Sequence, residues 1–433
     1  MEVAESGSVQ TGGQAAENLG AAGVGRERPA TFSEVLRIGE YRALFFANEL
    51  SLLGDQFAKI AIPFLVFSRT GSASLAAASF AVSFIPWIVG GPLLSAYADR
   101  LSRRTVMVAC DMVRMLLVAA MLTPSVPVGA LVGLLFAANL FSPAWKAARL
   151  ATLPDILPDD RYFAATGLDN IVQQLTQVLG YGGGGVLVAL ISARGALAVD
   201  AASFGVSALL IAARLGRHVP AAASHGAGAM GDFATGMMVI FRHKALRAYI
   251  LLLWLVSGFS YAGQGLVAPL ARDYGGAVRI GGLILAAAPS GVIVGGIVLV
   301  RLTPPRRRPH LILPFALLGC VALIPLITSP PLWLLLTALW LTGFGTAFSI
   351  PLNPLFGRTV PAVYRGRAFG AAVAGLSASQ GLAMILAGIA ATWFAPTTVI
   401  AAGGIAGSVT VLAIAPIWPG SHPPRPGLSP GRV

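Results

Sequence analysis

The sequence predicts an all-α integral membrane protein with twelve transmembrane helices arranged as two six-helix bundles. Hydrophobic residues make up 56% of its 433 residues, charged residues only 11%, and the mean hydropathy is +0.78. A soluble protein of this size is far less apolar. The apolar residues fall in stretches of about twenty, the length that crosses a bilayer. Basic residues fall in short clusters between these stretches, as they do in the loops of membrane proteins.

The net charge of +13 does not indicate a protein that binds nucleic acid. The basic residues are not interleaved with aromatic residues as in single-strand-binding proteins, and their positions fit loops that face anionic lipid. Cys110 and Cys320 both lie inside apolar stretches, which excludes a disulfide framework and a thiolate metal site. The sequence therefore predicts no cofactor, and the lipid bilayer is an expected partner.

The first predicted bundle covers residues 41–213 and follows a leader of residues 1–40. The leader is rich in Gly, Ala, Ser and Glu. It lacks the apolar core and cleavage site of a signal peptide, so we expect it to be disordered and cytoplasmic. The six helices of this bundle are predicted at 43–68, 74–97, 104–122, 127–148, 164–191 and 195–213.

A cytoplasmic linker at 214–246 joins this bundle to a second one at 247–417, and a cytoplasmic tail at 418–433 follows. Four apolar residues of the linker share one helical face, which predicts an amphipathic helix on the inner membrane surface. These residues are Phe233, Met237, Ile240 and Phe241. The helices of the second bundle are predicted at 247–271, 278–300, 310–328, 331–352, 366–393 and 396–417.

Short sequence features recur at corresponding positions in the two predicted bundles. Gly90 and Gly91 recur as Gly295 and Gly296, and Phe141 and Ser142 recur as Phe348 and Ser349. Six helices per half in the same orientation predict a parallel duplication, in which two bundles face each other across a central cavity.

The distribution of Lys and Arg predicts the orientation in the membrane. Most of them fall in the leader, the tail, the linker and every second loop. The segments predicted to lie outside hold only Arg69, Arg194, Arg272 and Arg279. Because cytoplasmic loops carry the excess of basic residues, we expect both termini in the cytoplasm and a multi-pass location in the plasma membrane.

Charged residues inside the spans are candidates for function because an ionised side chain in hydrocarbon is costly unless it is paired or hydrated. Asp55 lies about fourteen residues into the first helix, near mid-bilayer at 1.5 Å per residue, and Lys59 follows one turn later. This pair is interpreted either as an ion pair that breaks during a functional cycle or as a permanent structural bridge. Asp200 lies near the outer end of the sixth helix and is expected to be solvated.

Two further groups of polar residues lie inside predicted helices. Asp111 and Arg114 are three residues apart in the third helix, where structural bridging to the basic loop before that helix is favoured over substrate contact. Asp169, Gln173 and Gln177 recur every four residues in the fifth helix. This polar face must contact protein or water rather than lipid, and it is interpreted as lining a water-filled cavity or as bonding to a neighbouring helix.

The stretch from Gly90 to Arg104 reads G-G-P-L-L-S-A-Y-A-D-R-L-S-R-R. It resembles the loop between the second and third helices of the major facilitator superfamily, whose pattern is approximately G-x-x-x-D-R-x-G-R-R. The residues that match the charged positions of this pattern are Asp99, Arg100, Arg103 and Arg104. Gly54 followed by Asp55, and the spacing of Asp111 and Arg114, are similar to the macrolide and siderophore exporter branch of that superfamily.

The resemblance implies a secondary transporter that works by alternating access, with protons and a small molecule as further partners. It also implies a cytoplasmic gate at Asp99, Arg100, Arg103, Arg104, Asp111 and Arg114. The sparsely charged cavity favours an amphipathic drug, macrolide or siderophore, exported by the proton gradient. An importer or uniporter remains an alternative. A receptor or a lipid-modifying enzyme is disfavoured, because no histidine lies deep in a span and no large soluble domain is predicted.

Overall fold

The computed structural model describes residues 31–86, 101–157, 160–216, 229–276 and 278–419, and its regular secondary structure is helical throughout these ranges. In the first half the helices are α1 (Phe32–Arg37), α2 (Gly39–Thr70), α3 (Ala73–Ala81), α4 (Arg103–Ala120), α5 (Val128–Leu140), α6 (Ser142–Ile156) and α7 (Asp160–Arg214).

In the second half they are α8 (Ala229–Arg242), α9 (Lys244–Gly265), α10 (Val267–Asp273), α11 (Val278–Ile297), α12 (Ile312–Val321), α13 (Leu332–Thr346), α14 (Ser349–Thr359), α15 (Arg365–Ala390) and α16 (Pro396–Ile414). A π-helical turn extends α11 over Val298–Leu302, and 3-10 turns lie at Arg308–Leu311, Ile324–Thr328, Ala362–Tyr364 and Ala415–Ile417.

Within the described ranges, nine helical segments are long and apolar enough to cross a membrane. The longest of them, Ala164–Arg214, is interrupted at Ser192, whose backbone angles of φ 71° and ψ 167° are not helical. This break lies between the helices predicted at 164–191 and 195–213. Helix α4 matches the third predicted span but carries four charged residues, and α3 matches the beginning of the second. The total of twelve spans stays a prediction.

The end of the predicted leader is helical. Thr31 caps α1 with a capping box: its hydroxyl accepts from the backbone of Glu34, and the Glu34 carboxylate accepts from the backbone of Thr31. This pairing satisfies donors that a free helix end leaves open. Val35 on this helix is fully buried. The expectation of disorder over residues 1–40 is therefore wrong for this part of the leader.

The predicted duplication has a structural counterpart in two interrupted helices. The first-half helix is broken at Phe141, between α5 and α6, and the second-half helix is broken at Ala347 and Phe348, between α13 and α14. These breaks fall at the sequence features that recur between the two halves. The same bend in both copies is what a parallel repeat predicts.

The apolar core is shared between the halves at one end of the molecule and divided at the other. At the first end, buried residues of both halves form a single cluster, which contains Val66 and Leu197 together with Leu270 and Leu326. At the other end, each half has a cluster of its own. We call the first the closed end and the second the open end. Among the described residues, the apolar clusters therefore join the two bundles at one end only.

Glycines bring the two halves into close contact toward the closed end. A Cβ atom on Gly185 of α7 would lie 2.9 Å from the Cα atom of Gly282 on α11. A Cβ atom on Gly388 of α15 would lie 2.4 Å from the Cβ atom of Ala77 on α3. The glycine run in α7 thus provides the close helix approach that small residues allow in membranes.

The linker helix α8 packs on the second half. Ile240 is fully buried in the cluster of that half, and Phe233 and Met237 pack against the same cluster. A Cβ atom on Gly236 would lie 2.3 Å from the carbonyl oxygen of Arg367 on α15. Most of this apolar face therefore covers protein, whereas Phe241 is 40% exposed, and the position of the helix on the inner membrane surface stays a prediction.

Candidate functional site

Four charged side chains from three helices of the first half meet in the interior of that half. Asp55 and Lys59 lie on α2, Arg114 on α4 and Asp200 on the second part of α7, and all four line one cavity. We call them the charge cluster. The cavity has a volume of about 20 Å³, which is room for about one water molecule. A drug-sized molecule does not fit there.

The ion pair inside this cluster joins Asp55 to Arg114. Nη2 of Arg114 donates to Oδ1 of Asp55 at 2.8 Å and to Oδ2 at 3.0 Å. The guanidinium also lies 4.0 Å above the ring centroid of Phe204, a cation–π contact. The sequence places Lys59 as the partner of Asp55, but its Nζ donates to Oε1 of Gln56 at 3.5 Å. The predicted pairing is therefore not the one observed.

Asp111 is held by donors from two other helices, and its predicted bridge to the basic loop before α4 stays a prediction. Its Oδ2 accepts from Nε1 of Trp145 at 3.1 Å and from the hydroxyl of Ser207 at 2.6 Å. Asp111 is fully buried. Two donors from α6 and α7 thus hold this carboxylate, and Arg114 is left to Asp55.

Asp200 is buried, which contradicts the expectation that it is solvated. Its exposed fraction is 1%, and it packs against α2 where Gly54 has no side chain. A Cβ atom on Gly54 would lie 2.5 Å from Oδ1 of Asp200 and 2.5 Å from the hydroxyl of Ser203. Only a glycine at position 54 leaves room for this carboxyl group.

A second buried network lies on the open-end side of α2. Nη2 of Arg149 donates to Oδ2 of Asp169 at 2.7 Å, and the hydroxyl of Tyr41 donates to Oδ1 at 3.1 Å. Nearby, Oε2 of Glu49 accepts from the hydroxyl of Thr176 at 2.7 Å. Asp169 therefore belongs to an ion pair inside the first half.

Sequence reasoning missed Glu49 and Arg149. Glu49 lies inside the first predicted span, so the rule that singled out Asp55 also applies to it. Arg149 falls in the cytoplasmic loop between the helices predicted at 127–148 and 164–191. In the structure it lies on α6 and is only 4% exposed. The apolar residues on both sides of Arg149 indicate that a helix continues through this position, as α6 does after the break at Phe141.

A separate polar cavity lies between the two halves. The first half contributes Gln174 and Gln177, and the second half contributes amide, phenol and hydroxyl groups. The latter come from Ser260, Tyr261, Gln264, Thr342 and Thr346. We call this space the central cavity. Its lining contains no charged residue within the described part of the chain.

The polar face predicted on the fifth helix is divided between two environments. Gln177 lines the central cavity, where its Nε2 donates to Oε1 of Gln174 at 3.2 Å. Asp169 lies in the buried network with Arg149. Gln173 is partly buried and is not among the residues that line the cavity.

The side-chain hydrogen bonds and ion pairs of the described gate residues lie within the first half. Arg103 donates to the carboxylate of Asp155 and, at 2.6 Å, to the carbonyl of Ala151. Arg104 donates to the carbonyl of Ala212. Asp99 and Arg100 lie outside the described residues.

No three His, Cys, Asp or Glu side chains in the described ranges are grouped closely enough to hold a metal ion.

Solved structures of transporters share this fold. A crystal structure of a POT family transporter in complex with thioalcohol conjugated peptide aligns with a TM-score of 0.69 at 10% identity, over 87% of this chain and 95% of that one. The nucleoside transporter NupG aligns with a TM-score of 0.69 at 12% identity, over 87% of this chain and 98% of that one. At these identities the likeness shows the fold alone.

Sequence relatives are more specific. The uncharacterized MFS-type transporter YfiS of Bacillus subtilis is 25% identical over 81% of this chain and 86% of its own length. The multidrug efflux pump Tap of Mycobacterium tuberculosis is 24% identical over 80% of this chain and 85% of its own length. The macrolide efflux protein A of Streptococcus pyogenes is 22% identical over 60% of this chain and 66% of its own length.

Residues 44–350 match the family described as the Major Facilitator Superfamily. This match covers more than half of the chain and confirms the resemblance predicted from the charged loop before α4. Members of this superfamily are transporters rather than enzymes. The chain is therefore a multi-pass membrane transporter that belongs to the Major Facilitator Superfamily.

Proposed function

We propose that this chain exports amphipathic small molecules across the plasma membrane by alternating access, driven by the proton gradient. One observation carries the proposal: a buried charge cluster lies in the first half, apart from an uncharged polar cavity between the halves. The cluster has room for a proton or a water molecule, and the central cavity, of about 80 Å³ in this conformation, lies where both halves would contact a ligand. Two separate sites allow a substrate and a proton to be bound by different groups.

The direction of transport is inferred from the relatives and from the shape of the molecule. Two of the relatives are named for efflux, one of several drugs and one of macrolides. The predicted orientation places the open end in the cytoplasm. In this conformation a substrate would therefore enter the central cavity from inside the cell, as an exporter requires.

The proton is inferred from the charges in the cluster. Asp55 and Asp200 offset Lys59 and Arg114, so the four groups together are close to neutral when all are ionised. A buried site of this kind favours exchange of a single proton over binding of a metal cation, which would leave an uncompensated charge.

The substrate class is inferred from the lining of the central cavity. Amides at Gln174, Gln177 and Gln264 provide donors and acceptors, and Tyr261 provides an aromatic surface. Such a lining suits a molecule with an apolar body and a few carbonyl or hydroxyl groups. A sugar would need a denser set of hydrogen-bonding partners.

The predicted gate remains part of the proposal. The family resemblance implies that Asp99 contacts the start of the helix predicted at 366–393, where a helix N-terminus favours negative charge. We expect Asp99→Asn to lower transport without lowering the amount of protein in the membrane. Unchanged flux in vesicles would contradict this role.

Inverted membrane vesicles test the direction and the coupling together. We expect uptake of radiolabelled erythromycin into inverted vesicles that contain the protein, and we expect a protonophore to stop it. Gln177→Ala should weaken uptake by removing a hydrogen-bonding group from the central cavity. Thr337→Val is the matched control, because this exposed residue on α13 bonds only to its own helix. Uptake only into right-side-out vesicles would indicate an importer, and uptake insensitive to the protonophore would indicate a uniporter.

A further inference from the structure

We infer that Asp200 is the residue that binds and releases the coupled proton, whereas Asp55 is the fixed partner of Arg114. This inference rests on the proposed proton-coupled function and assigns the proton to one carboxyl group of the charge cluster. It differs from the expectation from sequence, in which Asp55 and Lys59 form the exchanging pair and Asp200 is a solvated residue at a helix end.

The contacts of Asp55 join both of its carboxylate oxygens to Arg114. Both of its carboxylate oxygens accept hydrogen bonds from Arg114, at 2.8 and 3.0 Å. The side chain of Arg114 is only 5% exposed, and its charge is offset by this carboxylate. A proton on Asp55 would leave the guanidinium buried without its counter-charge, which is the costliest way to break a buried pair.

The carboxyl group of Asp200 has no such fixed partner. Its Oδ1 is buried and accepts no hydrogen bond from any described residue. The hydroxyl of Ser203 donates to the backbone carbonyl of Asp200 at 2.7 Å and not to the carboxyl group. A buried carboxylate oxygen that lacks a protein donor is easily converted to the acid, because protonation removes the charge that burial penalises.

The groups around Asp200 allow one proton to be gained and lost. From α2 it faces Asp55 and Lys59, and from α4 it faces Arg114. The residues that α3, the turn after it and α5 contribute to the same cavity are not titratable; the polar ones are Ser79, Ser83 and Asn139. Lys59 is therefore the cation in the cluster that has no ion pair within the described part of the chain.

The step itself is a simple protonation. An O–H bond forms at one carboxylate oxygen of Asp200, with the proton supplied by water on one side of the membrane, and the same bond breaks toward water on the other side. The ionised carboxylate attracts the Arg114 guanidinium on α4 and the Lys59 ammonium on α2, and the neutral acid does not. Because α7 carries Asp200 and also lines the central cavity, this change in attraction acts on a helix that contacts the substrate.

Infrared difference spectroscopy on the full-length protein in lipid tests this assignment without a known substrate. We expect the wild-type protein to show a carboxylic acid carbonyl band that appears and disappears as the pH is cycled. Asp200→Asn should remove the band. Glu34→Gln should leave it unchanged, because that exposed carboxylate lies on α1, away from the charge cluster. A difference spectrum of Asp200→Asn identical to that of the wild type would overturn the inference.

A second variant keeps the test decisive if Asp200→Asn does not fold. Gly54→Ala places a methyl group 2.5 Å from Oδ1 of Asp200 unless the carboxyl group shifts. We expect the frequency of the carbonyl band to change in this variant. An unchanged band would show that the titrating acid lies elsewhere.

Transport measurements separate this inference from the proposed function. In vesicles, Asp200→Asn should lose erythromycin uptake driven by a pH gradient but retain exchange of labelled for unlabelled erythromycin. Gradient-driven uptake equal to that of the wild type would overturn the inference while the proposed function stands. A wild-type protein with the Asp200 band but without gradient-driven uptake would contradict the proposed function and still support Asp200 as the proton site.

Discussion

Replacing Gly185 with valine should open the closed end of the molecule. Gly185 on α7 faces α11, where its Cβ atom would lie 2.9 Å from both the Cα atom of Gly282 and the carbonyl oxygen of Val278. Both neighbours are backbone atoms, so no side chain can turn away. Overpacking of this kind costs about 1–3 kcal/mol, and only the state in which the halves touch here bears that cost. The equilibrium should therefore shift about 5- to 150-fold toward the opposite state.

Pulsed electron paramagnetic resonance measures this shift directly. Spin labels at Thr70 and Thr328, two exposed positions toward the closed end of the two halves, report the distance between them. The native residues Cys110 and Cys320 are first replaced by alanine. We expect a longer distance to become populated in Gly185→Val.

The matched control is Gly183→Val, two residues earlier on the same helix. A Cβ atom at this position meets nothing within 4 Å. It introduces the same β-branched residue into the helix without the clash, so its distance distribution should match that of the parent protein. The same distance distribution in both variants would contradict the clash predicted at Gly185.

Three further predictions concern stability. Asp55→Asn should lower the melting temperature of the purified protein, because leaving Arg114 buried without its partner costs about 3–5 kcal/mol; adding Arg114→Gln should recover part of the loss, and no recovery would contradict the pairing. Trp145→Phe removes one donor from Asp111 and should cost about 1–3 kcal/mol in thermal unfolding while transport is retained; an unchanged melting temperature would argue against this hydrogen bond. Gly236→Leu should detach α8 from α15 and speed amide hydrogen exchange in α8, and exchange as slow as in the parent would exclude the packing described.

Much of the fold could be predicted because the helices are apolar stretches with clear ends. The prediction of helices at 164–191 and 195–213 locates the break near Ser192, and the prediction of a start at 396 agrees with the first residue of α16. These ends follow from local sequence, since charged, proline and glycine residues interrupt the apolar runs. Local sequence is sufficient to define helices of this kind.

The partners inside the charge cluster could not be predicted, because they depend on how distant helices cross. Lys59 is within reach of Asp55 on the same helix, and sequence alone favours such a neighbour. The structure brings Arg114 to Asp55 from a helix 59 residues away along the chain. The burial of Asp200 depends on a helix crossing in the same way. Its position near the outer end of a predicted helix favours contact with water, whereas the close approach at Gly54 buries it.

The joint at Ser192 has a consequence for how substrate and proton sites communicate. This one non-helical residue connects the part of α7 that borders the central cavity to the part that carries Asp200. The chain has no slack there, since both neighbouring residues belong to helices. The two helix ends must therefore move together at this joint, so the polypeptide itself links the helix that borders the cavity to the helix that carries a buried acid.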